Sequence, residues 1–269
     1  MQSDMKDYRL RVENLSIAFG GLKAVDNLSF DIKEKEVFGL IGPNGAGKTT
    51  VFNCITQFYK PDTGNIYFKD KTDTTRNLLE YQVHDIIGLG LVRTFQNVEL
   101  IKELSIIDNV LIGAQVDFKA SIMAQALRFP SAVKEEKRMR EKAYGILEML
   151  GIEDRAELLV AGQPYGILKK VELARTLIGE PKLIILDEPA AGLNDVETQE
   201  LTQRIRKIRD ELNCSIFLIE HDMRLVMDVC DRICAISFGK FLALGTPKEI
   251  KENKDVQVAY LGIEVEEDA

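Results

Sequence analysis

The chain is 269 residues long, 45% hydrophobic and 29% charged, a composition that supports a large packed core and excludes a disordered or low-complexity protein. Its 35 basic and 43 acidic side chains leave a formal charge of −8, which supplies no global pull toward nucleic acid. No apolar run approaches the roughly 18–20 residues that cross a bilayer, and Met1–Asp7 lacks the apolar stretch of a secretion signal, so a membrane span and secretion are both unexpected.

In chain order, Tyr8–Ile17 carries apolar residues in alternation (Leu10, Val12, then Leu15, Ile17) and reads as strands broken at Asn14, with Gly20-Gly21 as a hairpin turn. Val37–Ile41 is a short continuous apolar run, the pattern of a strand buried on both faces. A helix is predicted after the glycine-rich turn that follows, running to about Phe58. Pro61–Gly64 is turn chemistry ahead of a strand over Ile66–Phe68. From about Asn97 to Gly162 the pattern is mostly helical. Ser105-Ile-Ile-Asp108 fits a helix start, and Ala143, Ile146, Leu147 and Leu150 share one face. The charged run Lys134–Lys142 is the solvated side of that helix, and Gly151 stops it. Strands return at Leu183–Leu186, Ile216–Ile219, Ile233–Ser237 and Phe241–Leu244, with a charged helix over Val196–Leu212 between the first two. Thr246-Pro-Lys-Glu249 is a capped helix start, and the acidic tail Glu264–Asp268 reads as a frayed end. Strand–helix alternation on both sides of a helical stretch predicts an α/β fold.

Cys54, Cys214, Cys230 and Cys234 sit among apolar neighbours with no CxxC pair and with 2 histidines in the whole chain, which predicts buried free thiols in a reducing compartment rather than a zinc site.

The chemistry concentrates in two segments. Gly42, Pro43, Asn44, Gly45, Ala46, Gly47, Lys48 and Thr49 match G-x-x-x-x-G-K-[ST], between a predicted buried strand and a predicted helix as that pattern requires. Glycines allow successive backbone N–H groups to face an anion, and the helix that follows adds its positive end. Lys48 is expected to reach the β- and γ-phosphates and the Thr49 hydroxyl to ligate Mg²⁺, with Thr50 beside it among the nucleotide-binding candidates. The second segment is Leu183-Ile-Ile-Leu-Asp187-Glu188, a buried strand ending in two acids. Asp187 suits a Mg²⁺ ligand, directly or through water, and Glu188 a general base or orienter for the attacking water. Together the segments point to hydrolysis of a nucleoside triphosphate.

These and further elements resemble the ATPase subunits of ABC transporters across essentially the whole chain. Val92-Arg-Thr-Phe-Gln96 is similar to the Q-loop, which implies that Gln96 touches Mg²⁺ and the attacking water. Ile219-Glu-His221-Asp222 resembles the H-loop, implying a contact of His221 with the γ-phosphate, and Phe19 stands where the family stacks an aromatic on adenine. ATP rather than GTP is implied by the resemblance. Gln163-Pro-Tyr-Gly166, with the Glu172-Leu-Ala-Arg175 helix, resembles the signature segment. Pro164 and Ile167 replace its serine and glutamine, leaving backbone donors around Tyr165 and Gly166. Ala191-Gly-Leu-Asn194 resembles the D-loop, with Asn194 for the commoner aspartate. The Pro-Tyr-Gly signature, Glu-His-Asp-Met223 and Ala-Tyr-Leu-Gly262 resemble the larger ATPase subunit of branched-chain amino acid uptake systems.

The resemblance implies a P-loop NTPase core with a mostly parallel sheet, an N-terminal antiparallel β subdomain and an inserted α-helical subdomain. Its expected divisions are 1–96 (first part of the core), 97–162 (helical insert), 163–245 (signature helix and second part of the core) and 246–269 (C-terminal helix and tail). It further implies ATP and Mg²⁺ as cofactors and a peripheral place on the cytoplasmic face of the inner membrane. The implied partners are two membrane-spanning permease subunits, a second, shorter ATPase subunit in a heterodimer (a homodimer being the alternative) and, indirectly, a periplasmic or extracellular solute-binding protein. Two such domains would close head to tail on two ATP molecules. The rival is a soluble ABC-type ATPase acting on nucleic acid or ribosomes, whose usual long coiled-coil insert or second ATPase domain is not seen here. A nucleotide-regulated scaffold with little turnover is a third reading, motivated by the altered signature.

Overall fold

The structure, a computed structural model, describes residues 7–94, 99–114 and 129–261. It divides into two compact units: residues 1–93 with 182–269, and residues 94–181.

The first unit carries both sheets. Strands β1 (Tyr8–Phe19), β2 (Leu22–Lys33), β4 (Thr63–Lys69) and β5 (Thr75–Asn77) form an antiparallel sheet in the order β2-β1-β4-β5. Strands β3 (Val37–Ile41), β6 (Leu91–Arg93), β7 (Leu183–Asp187), β8 (Ser215–Ile219), β9 (Arg232–Ser237) and β10 (Lys240–Gly245) form the other, in the order β10-β9-β3-β8-β7-β6. All its pairings are parallel except β10 with β9. Every residue of β3, β7 and β8 is buried, which is why these strands read as continuous apolar runs instead of alternating ones. The core of this unit packs the inner face of β1 and β2 (Leu10, Leu15, Leu28, Phe30) against Phe38 and Phe217 of the parallel sheet, with the Phe30 and Phe38 rings stacked 5.5 Å apart. Arg232 of β9 joins the layers by charge, reaching Asp31 of β2 at 2.7 Å and the buried Glu36, and these two carboxylates push its pKa further up despite burial.

Local chemistry explains most element ends. Gly20 and Gly21 have φ of 54° and 90°, the pair of positive values that a tight two-residue hairpin needs between Phe19 and Leu22. Asn14 does not break the first strand. It takes φ 50° within β1, where the register with β2 shifts between Val12 and Leu15, so the expected break is a bulge in one continuous strand. Helix α1 (Lys48–Ile55) ends before the expected Phe58, because the Thr56 amide and hydroxyl both donate to the Phe52 carbonyl and Gln57 turns to φ 61°. Short elements without a sequence signal include β5, β6 and α2 (Val83–Leu89). Pairing in register with β7 is what makes three residues of β6 a strand.

The second unit contains α3 (Ile106–Ile112), α4 (Pro130–Met149) and α5 (Tyr165–Leu177). Ser105 caps α3 by accepting from Asp108 N at 3.2 Å, and Ile106, Ile107, Val110, Ala143, Leu147, Val171 and Leu177 are buried. The run 134–142 is solvent-facing except around Met139, and Gly151 follows α4 at φ 64°. The expected boundary at 162 falls inside this unit. Helix α5 clusters with α3 and α4 rather than with the second part of the core.

The first unit closes with α6 (Asp195–Leu212), α7 (Met223–Val229), α8 (Pro247–Glu252) and α9 (Lys254–Leu261). Thr246 and Glu249 form the expected reciprocal cap of α8. All four cysteines are free and buried. The acidic tail 264–268 lies outside the described residues.

Candidate functional site

The loop 42–47 leaves the C-terminal end of β3 and enters α1 at Lys48. Open parallel sheets place ligands at this end of their strands. The loop is held from behind by the β9–β10 turn: Gly239 N donates to the Ala46 carbonyl at 2.9 Å, while Asp26 N donates to the Gly239 carbonyl at 2.8 Å. Gly42 has no space for a side chain, since a Cβ there would lie 2.4 Å from the Ile236 carbonyl oxygen. Gly42→Ala is therefore expected to cost about 1–3 kcal/mol through backbone displacement. An unchanged denaturation midpoint would contradict this close packing.

Lys48 Nζ donates to the carbonyls of Gly42 and Pro43 at 2.7 and 3.1 Å, so the ammonium lies over the loop's own backbone. Burial pushes its pKa down, and the nearby carboxylates of Glu188 and Asp187 pull it back. The two sequence segments lie at the same end of one sheet, since β3 and β7 both pair in parallel with β8. Thr49 is exposed in the first turn of α1.

Asp187 is the last residue of β7 and is buried, whereas Glu188 has left the strand and is partly exposed. Glu188 takes φ 48°, a conformation that costs a non-glycine residue of order 1–3 kcal/mol and is found chiefly at functional sites. Hydrogen bonds on both sides maintain it: Glu188 N donates to the Ile219 carbonyl at 2.8 Å, and Ala191 N to the Glu188 carbonyl at 3.1 Å. His221 follows β8 with its ring largely exposed, Nδ1 lying 3.9 Å from Glu188 Oε1.

Arg93 is a site residue that sequence reading missed. From the end of β6 its guanidinium reaches Asp187 Oδ2 at 3.2 Å and Asn53 Oδ1 of α1 at 3.1 Å, and it lies 3.9 Å from the centre of the Phe52 ring. Nothing in its local sequence marks it beyond its place just ahead of Gln96, which itself lies outside the described residues. Thr49 and Asp187 are hydroxyl and carboxylate donors of the kind that hold Mg²⁺ together with phosphate oxygens and water, so the site fits that ion without a dedicated cluster. Among the described residues no group of three or more His, Cys, Asp or Glu forms such a cluster.

Phe19 ends β1 and is 46% exposed, so it is not consumed by the core. Its ring meets Tyr59 edge-on at 5.3 Å, adding a second exposed aromatic that the sequence reading passed over. In the second unit, Pro164 precedes α5 without a side-chain cap, and Ile167 and Leu168 make the first turn's bonds to its carbonyl at 2.9 and 3.1 Å. The amides of Tyr165 and Gly166 come before those bonds, as the unpaired opening donors of a helix do. Asn194 caps α6, its Oδ1 accepting from Val196 N and Glu197 N at 3.0 Å each, a role an aspartate would fill equally, so the cap does not explain the departure.

Comparison with known proteins places this geometry in a family. The profile described as ABC transporter matches residues 25–191. A "High-affinity branched-chain amino acid transport ATP-binding protein LivG" of Salmonella typhimurium is 43% identical over 253 residues, 94% of this chain and 97% of that protein. BraF of Pseudomonas aeruginosa, named as a protein of the same transport class, is 42% identical with 94% of this chain covered. Among solved structures, MJ1267 in its ADP conformation, described as an ATP-binding cassette of an ABC transporter, superposes with a TM-score of 0.80 at 29% identity, covering 95% of this chain and 99% of that one. The chain therefore belongs to the ABC transporter family, as an ATP-binding ATPase.

Proposed function

We propose that the chain is the ATP-hydrolysing subunit of an importer for branched-chain amino acids, working at the cytoplasmic face of the membrane. The observation that carries the ATPase part is that the loop bearing Lys48 and the pair Asp187 and strained Glu188 leave the same end of the parallel sheet, from strands β3 and β7 that both pair with β8. The solute follows from the 42–43% identity to LivG and BraF, whose names describe transport, and nothing in those comparisons favours a nucleic-acid or ribosome ATPase.

In this reading the loop 42–50 binds the phosphates through its backbone N–H groups, Pro43 having none, and through Lys48, with Phe19 stacking on adenine. Thr49, Asp187 and Gln96 would hold Mg²⁺, which would draw charge from the phosphate oxygens. Glu188 orients or deprotonates the attacking water, and His221 meets the γ-phosphate. Tyr165 and Gly166 offer their amides to the site of a second ATPase subunit, which returns its own signature to Lys48 and Glu188. Among the described residues no helix is long and apolar enough to cross a membrane, so the path for the solute belongs to two permease subunits supplied by other chains, fed by a solute-binding protein.

Purification from native membranes in mild detergent tests the assembly. Two permeases and a shorter ATPase are expected to co-purify, with ATP turnover stimulated by the loaded binding protein. Recovery with ribosomes or nucleic acid instead would reverse the reading.

Arg93 is the positioning residue for Asp187 in this scheme. Arg93→Lys keeps the positive charge but loses the planar fork that spans Asp187 and Asn53. The Mg²⁺ concentration giving half-maximal nucleotide binding and turnover is expected to rise about 10-fold, as for other partners that orient a metal ligand. A wild-type Mg²⁺ titration would remove Arg93 from that role.

A further inference from the structure

Glu220, next after β8, is 1% exposed and carries a carboxylate, a group that is costly to bury unless its oxygens are hydrogen-bonded. Its partners are backbone amides from two separate loops. Oε1 accepts from Ala190 N at 2.9 Å, and Oε2 accepts from His221 N at 2.9 Å and Asp222 N at 3.3 Å. Oε2 also lies 3.7 Å from His221 Nδ1, the same nitrogen that faces Glu188 Oε1 at 3.9 Å. The Ala190 loop begins at Glu188, and the second loop carries His221.

The geometry assigns Glu220 as a positioning residue, one buried carboxylate that fixes the loop leaving Glu188 against the backbone of His221 and Asp222. The assignment rests on hydrolysis taking place at this site. It gives the enzyme a fixed spacing between the group that handles the attacking water and the group that meets the γ-phosphate. His221 Nδ1 lies 3.7 and 3.9 Å from the two carboxylates, beyond hydrogen-bond distance, so Glu220 acts on this residue through its backbone amide. The acid is specifically required. Three N–H donors converge on it, and a glutamine offers one acceptor oxygen and an NH₂, so either amide orientation sets a donor against a donor.

Glu220→Gln tests this in the assembled complex, with Glu220→Asp as a second variant that keeps the charge but is one methylene too short to span both loops. Expected is a fall in kcat of about 10²-fold with KM for ATP nearly unchanged, because the phosphate loop is untouched while the reacting groups are misplaced. Combined with His221→Ala, the second loss should be much smaller than in the wild-type background, since both changes act through one unit. Hydrogen exchange on the isolated chain should show faster exchange at residues 190–193 and 221–222 together. Unchanged kcat in both variants, a loss that multiplies fully with that of His221→Ala, or unaltered exchange at residues 190–193 would overturn the assignment. A wild-type chain without ATP turnover would instead refute the proposed function, and the exchange measurement would still decide whether Glu220 ties the loops.

Discussion

Glu188→Gln is expected to bind ATP as the wild type does while turnover falls by about 10²–10⁴-fold, the usual contribution of a general base. The amide has the shape of the acid, so the left-handed backbone at φ 48° and its bonds to Ile219 and Ala191 survive the change. What disappears is a partly exposed carboxylate, 3.9 Å from His221 Nδ1, that can accept a proton from water, whereas Asp187 is buried and paired with Arg93. Binding is expected to be retained because the groups proposed to face the phosphates lie on the loop 42–47 and the first turn of α1. With two subunits closed on ATP, the variant should also accumulate in the closed state, since hydrolysis is what removes the nucleotide bridge. Equilibrium ATP binding, single-turnover hydrolysis and size-exclusion chromatography with ATP together check this. Hydrolysis near the wild-type rate would assign the base elsewhere.

Lys48→Ala carries the second large effect, on affinity rather than on the chemical step alone. A charge-assisted bond from the ammonium to phosphate is worth about 1.5–3 kcal/mol, so ATP affinity should fall by up to about 10²-fold. The side chain spends its donors on the Gly42 and Pro43 carbonyls at 2.7 and 3.1 Å, so the group is already held over the loop in which phosphate would sit. Little rearrangement is then needed on binding, which favours affinity. The variant also leaves those two carbonyls without a donor, so its unfolding midpoint has to be measured beside its nucleotide dissociation constant. Affinity unchanged in a folded variant would mean that this loop is not the phosphate site.

The parts of this protein legible in the sequence are those whose cause is local. The glycine-rich loop between strand and helix, the Asp187-Glu188 pair at a strand end, the Gly20-Gly21 turn and the Thr246–Glu249 cap each depend on residues a few positions apart, and each stands where its pattern predicted. The buried strands were readable for the same reason, since a run buried on both faces shows as uninterrupted apolar residues.

Tertiary structure decided the rest. Three residues, Leu91–Arg93, become the sheet's edge strand only by pairing with β7, and that pairing brings Arg93 to Asp187. Helix α5 joins the helical unit because of what its apolar face packs against, although its sequence follows a glycine that looked like a boundary. Glu220 and Glu188 acquire their meaning from amides and carbonyls far along the chain. Local propensity and side-chain periodicity are properties of one segment and can be read from it. A long-range hydrogen bond has no period and no composition, and it exists only once packing has brought its donor and acceptor within three ångströms or so.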